Sequence, residues 1–161
     1  MSKSQHRWAV ALILAVAAVL FVVACSLPAI GFSRNHQEPE TWQGIGCLML
    51  GPFGAFMGQF AWFANVAIFF AAVIMALRGW KVSLVLGVLS LLLACNVFTM
   101  FGNEFPGDEA GVNKLYMQTL EPGCWVWFAS LAVILIGNLV LWKLHTSSRE
   151  EPVEVTDFIE G

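Results

Sequence analysis

The chain has 161 residues, 58% of them hydrophobic and only 12% charged, with a formal net charge of −3. Soluble domains carry about 25% charged residues, so this composition excludes an ordinary soluble core and points to the lipid bilayer as solvent. No basic block is present, which argues against nucleic acid as a partner.

In chain order, residues 1–7 are polar and place Lys3 and Arg7 ahead of the first apolar run. That run, 8–27, carries no charge and has the ~20 residues needed to span a hydrocarbon core. Its Ala11, Ala15 and Ala18 form a small-residue stripe suited to close helix packing. The basic start followed by Val22-Val-Ala-Cys25-Ser26 also matches, loosely, a bacterial lipoprotein cleavage site. A signal h-region is only about 7–15 residues long, so the expectation is a retained transmembrane helix.

Residues 29–50 read as a loop from their Gly, Pro, Asn and charged residues. The second span is expected over 53–77. It opens with Gly54-Ala-Phe-Met-Gly58, a small-xxx-small pair. Arg78-Gly-Trp-Lys81 is a tight basic turn, and the third span follows at 82–101. Ser83, Gly87, Ser90 and Ala94 share one face of it, at spacings of four, three and four. A second loop, 102–122, is acidic, and the fourth span is expected over 123–144. Residues 145–161 form an acidic cytoplasmic tail whose composition predicts disorder.

Lys3, Arg7, Arg78, Lys81, Lys143 and Arg149 flank the spans on one side, against Arg34 and Lys114 on the other. The positive-inside rule then places both termini in the cytoplasm and both loops outside. The fold class expected is an all-α integral membrane protein. Four transmembrane helices form an antiparallel bundle, N-in and C-in, with two short extracytoplasmic loops, in the bacterial inner membrane.

No charged residue interrupts the interior of any span, which argues against proton-coupled transport and intramembrane proteolysis. The polar groups inside are carboxamides and hydroxyls. Depth along each span pairs Gln59 with Asn96 and Asn65 with Asn138 as interhelical contacts that set register. The alternative use of this stretch is a pocket lined by Gln59, Trp62 and Asn65, which fall within about 120° of one helix. Such a pocket would suit a lipid headgroup, a quinone or a small solute.

All four cysteines fall in the outer half. A disulfide between Cys47 and Cys124 fits an oxidising periplasm, but four cysteines allow three pairings, and free thiols are equally consistent. Four-helix quinone-linked disulfide-forming proteins share this topology, yet the chain has no Cys-x-x-Cys pair, and Cys25 and Cys95 lie in apolar surroundings. Glu104, Asp108 and Glu109 fit no EF-hand spacing, and His36 with Glu38 and Glu40 is a weak metal signal. Neither set is taken as a metal site, and no cofactor is expected.

Several motifs together resemble a group of small bacterial membrane proteins with four transmembrane helices and no assigned activity. They are Ser26-Leu-Pro-Ala29, Trp42-Gln-Gly44, Trp62-Phe-Ala-Asn65 and Pro122-Gly-Cys-Trp-Val-Trp127-Phe-Ala-Ser130. The resemblance covers 8–144 and implies a retained first helix. The function expected is a non-catalytic accessory, assembly or protective role through helix and loop contacts with a membrane partner or a second copy. A binder or carrier using Gln59, Trp62 and Asn65 is the first alternative, and extracytoplasmic thiol–disulfide exchange the second.

Overall fold

A computed structural model describes residues 3–34, 38–106 and 112–147. His36, Asp108, Glu109, Arg149 and most of the expected tail therefore lie outside the described residues, as does the Glu38 side chain. The described chain is mostly helical. Three helices are long and apolar enough to cross a membrane: α1 (Lys3–Ser26), α4 (Trp80–Cys95, continued by a 3-10 stretch Asn96–Met100) and α5 (Pro122–Ser147).

The second expected span is different. Instead of one helix over 53–77 there are two pieces. A short α2 (Gly44–Leu50) runs into a 3-10 stretch (Gly51–Met57), and α3 (Phe63–Ala76) follows after a break. Gly58 makes the break, at φ 75°, in the left-handed region that favours glycine. The Gly54/Gly58 pair therefore shapes a turn and not a helix–helix contact. At 14 residues, α3 is about 21 Å long.

The two expected loops are also corrected, because they are not irregular and the fold is not all-α. They supply β1 (Pro28–Arg34), β2 (Glu38–Gln43), β3 (Glu104–Pro106) and β4 (Lys114–Leu120). The four form one antiparallel sheet in the order β2-β1-β4-β3, with Phe32 opposite both Glu40 and Met117. Strand β4 alternates, burying Leu115 and Met117, while β1 buries Ala29 to Phe32 in succession, and their apolar side chains pack with Val97 and Cys124 at the helix ends. A sheet with one apolar face satisfies its backbone groups and covers the bundle's end at once.

Helices α1, α3, α4 and α5 run alternately towards and away from this sheet. Helix α5 packs against α1 and α4, and α4 against α3. The stripe Ala11, Ala15 and Ala18 is exposed; α1 instead buries Val10, Ala17 and Ala24, seven residues apart. The cause is α5, where Gly137 leaves room for Ile13 and so fixes which face of α1 turns inward. On α4 the expected face holds: Ser83, Gly87, Ser90 and Ala94 are all buried. Small side chains there let α3 come close enough for Ser83 Oγ to donate to the Ala71 carbonyl (2.7 Å) and Ser90 Oγ to that of Ala64 (2.9 Å). The basic turn joins α3 to α4 with Arg78 at φ 66°.

Candidate functional site: a cavity under the sheet

A cavity of about 290 Å³ lies where the sheet, the helix ends and the Gly44–Met57 arm converge. That volume sits at the lower edge of the ~300–1,000 Å³ typical of small-molecule sites. Ile30 and Phe32 of β1, Trp42 of β2, Phe105 of β3 and Leu115 of β4 contribute the sheet side. Phe21, Ala24 and Cys25 come from α1, and Gly123, Cys124 and Trp127 from α5.

The arm forms the remaining wall, and local sequence explains how it is held. Gly44 N–H donates to the Leu27 carbonyl at 2.9 Å, and a Cβ on Gly44 would stand 2.2 Å from the Ala24 carbonyl oxygen. Only glycine fits there. Further on, Gly51 accommodates the Trp62 indole, whose Nε1–H donates to the Leu48 carbonyl at 2.8 Å. Gln59 N–H returns to the Gly54 carbonyl at 2.9 Å, closing the turn through Gly58. The arm has no buried residue, and away from the cavity it presents Ile45, Met49 and Phe56, the last 88% exposed.

Gln59, Trp62 and Asn65, which the sequence reading groups together, all line this cavity. The interhelical pairs expected for the carboxamides are replaced by others. Asn65 Oδ1 accepts from Trp127 Nε1–H at 2.8 Å, while buried Asn138 donates from Nδ2 to the Trp80 carbonyl at 3.2 Å. The reason is the late start of α3. Asn65 lies in its first turn, level with Trp127, and Asn138 is eleven residues, about 16 Å, further along α5. Gln59 and Asn96 meet only through Thr99, whose hydroxyl lies 3.3 Å from each amide nitrogen; Asn96 Oδ1 accepts the Phe60 N–H at 2.5 Å.

Cys25, Cys47 and Cys124 line the cavity and Cys95 does not; all four are free thiols. Burial pushes the Cys47 thiol up to about 11, so it is protonated at neutral pH and a poor nucleophile. Above the cavity rim, Glu40 accepts from Trp42 Nε1–H (3.0 Å) and from Arg34 (2.8 Å). Those two bonds, Trp42 first, hold its carboxyl below the ordinary value. At the other sheet edge Glu104 pairs with Lys114 and takes the Tyr116 hydroxyl at 3.0 Å. Among the described residues no group of three metal-ligating side chains converges.

Among the described residues no Asp, Glu, Lys, Arg or His lines the cavity. The lining is that of an apolar container with few oriented polar groups. Sequence reading missed Trp42 and Trp127 as members, although Trp127 stands in the quoted motif that opens α5. In comparisons with known proteins, no protein-family model, curated protein or solved structure matches this chain, so the likeness to small four-helix bacterial proteins rests on the motifs alone.

Proposed function

We propose that the protein is a non-catalytic, four-span protein of the bacterial inner membrane, with both termini cytoplasmic, that binds an apolar molecule in the cavity under its sheet. Helix α3 makes the fourth crossing. The orientation is supported by the count of bases among the described residues: Arg7, Arg78, Lys81 and Lys143 lie at the end away from the sheet, against Arg34 and Lys114 at the sheet end. Retention of α1 is supported by Val10 and Ala17, which belong to the bundle core. The observation that carries the binding reading is the cavity itself, walled by five distant parts of the chain and lined, among the described residues, by no Asp, Glu, Lys, Arg or His.

The test is extraction of the full chain in mild detergent, followed by mass spectrometry of the small molecules that accompany it. One lipophile near one equivalent is expected, and Ala61→Phe, which fills the cavity, should expel it without changing the elution profile. Equal recovery from both proteins, or none from either, would overturn the reading. A second reading, an accessory protein working through contacts, draws on the uncovered apolar arm. It expects a co-purifying membrane protein, or a second copy captured by cross-linking, that Phe56→Ser releases.

A further inference from the structure

Several polar groups reach the cavity, and their hydrogen bonds determine what they have left to offer. The indole N–H of Trp42 is committed to Glu40, that of Trp62 to the Leu48 carbonyl, and that of Trp127 to Asn65. Gln59 has only the Thr99 hydroxyl beside its amide, at 3.3 Å from Nε2 and 3.4 Å from Oε1, and that hydroxyl gives its one proton to the Asn96 carbonyl at 2.7 Å, so no partner fixes which end of the Gln59 amide is NH2.

Asn65 differs. An indole N–H can only donate, so the atom 2.8 Å from Trp127 Nε1 must be the carboxamide oxygen, which fixes which end of the amide is NH2. That NH2 has no hydrogen-bond partner among the described residues, and Asn65 lines the cavity. An amide donor oriented by an indole and set in an apolar container calls for an acceptor oxygen. Among the described residues no cation lines the cavity to meet an anionic ligand, and no carboxylate to meet a cationic one.

Resting on the binding reading above, we infer that the ligand is a neutral lipophile carrying a carbonyl oxygen, which accepts the Asn65 Nδ2–H while its apolar part fills the space beside Ile30, Phe32 and Trp62. Two membrane sources offer this chemistry: the ring carbonyl of a quinone and the ester carbonyl of a neutral glycerolipid. Trp127 is a positioning residue here, since it acts through Asn65.

The experiment uses the full chain in nanodiscs of zwitterionic phospholipid. Four probes are titrated and read by native mass spectrometry: a short-tailed benzoquinone, a monoacylglycerol, an alkylbenzene of matched size, and an alkyl trimethylammonium. One carbonyl probe is expected to bind 1:1, and which one does so identifies the source. Asn65→Leu should weaken it by about 2- to 12-fold, the range for one neutral hydrogen bond, and leave the alkylbenzene unchanged. Asn65→Asp, which keeps the acceptor for Trp127 but loses the donor, should also weaken it if the leucine variant folds poorly.

Carbonyl binding unaffected by both Asn65 variants but abolished by Ala61→Phe would overturn the carbonyl assignment and leave the cavity reading standing. Tight binding of the cationic probe would overturn the neutral-ligand assignment. No probe bound, with Ala61→Phe indistinguishable from the parent in its accompanying lipids, would overturn both.

Discussion

Gly44 and Gly46 lie two residues apart in α2, and the same substitution at each should have opposite consequences. A Cβ on Gly44 would come within 2.2 Å of the Ala24 carbonyl oxygen and 3.0 Å of the Ala24 carbonyl carbon and the Cys25 Cα. All three are backbone atoms, so nothing can yield without moving α1 or the arm. A Cβ on Gly46 meets nothing within 4 Å. Replacing glycine by alanine in a helix contributes roughly 0.5–1 kcal/mol at either position, so the difference between the variants isolates the steric cost. Overpacking of this kind costs about 1–3 kcal/mol. In a chain of this size each kcal/mol moves Tm by about 2–4 °C, so Gly44→Ala should melt roughly 2–12 °C below Gly46→Ala. The assay is thermal unfolding of both variants in one detergent, followed by near-UV circular dichroism. Equal melting temperatures would show that α2 does not rest on the end of α1, and the cavity's arm wall would then be wrongly placed.

Three further outcomes are expected. Ser90→Ala removes the buried bond to the Ala64 carbonyl and should cost about 0.5–1.5 kcal/mol in the same melts, whereas Ser90→Leu should separate α3 from α4 and cost more. Glu40 is held below the ordinary carboxylate value of 4.5, so its contribution to the sheet is present above that pH and is lost as pH falls through the lowered value. Trp fluorescence should report that acid transition, and Glu40→Gln should flatten it; an unaltered acid profile would refute the assignment. With the other three cysteines changed to Ser, Cys47 should alkylate slowly at pH 7.5 and about tenfold faster per pH unit up to about 11. Fast labelling at neutral pH would revive the thiol–disulfide reading.

The long apolar helices were legible because an uncharged run of membrane length has few other uses, and α1, α4 and α5 lie within a few residues of their expected bounds. The face of α4 was legible too, since two serines among small residues at helical spacing mark a close contact. The second span was misread because hydrophobicity alone does not distinguish a helix from an apolar chain broken by glycine. Gly51-Pro52, Gly54 and Gly58 within eight residues were the available signal. The sheet was missed because Gly, Pro and charge dominate the strand flanks and conceal the alternation of Leu115 with Met117 in β4. At the site, Gln59, Trp62 and Asn65 line one cavity, but their partners depend on where α3 begins. Misplacing that start by ten residues put Asn65 beside Asn138 instead of Trp127.

The shortness of α3 bears on the surrounding bilayer. Its ~21 Å falls well short of a ~30 Å hydrocarbon core, while α1, α4 and α5 match or exceed that thickness. On the proposed four-span reading, in which α3 is the fourth crossing, hydrophobic mismatch is confined to one sector of the protein's circumference. Acyl chains in that sector must shorten or bend over the arm, at a cost of fractions of a kcal/mol per Å. Such a one-sided dimple draws the protein towards thinner membrane regions. It also favours pairing of two dimpled sectors, because shared deformation costs less than two separate ones.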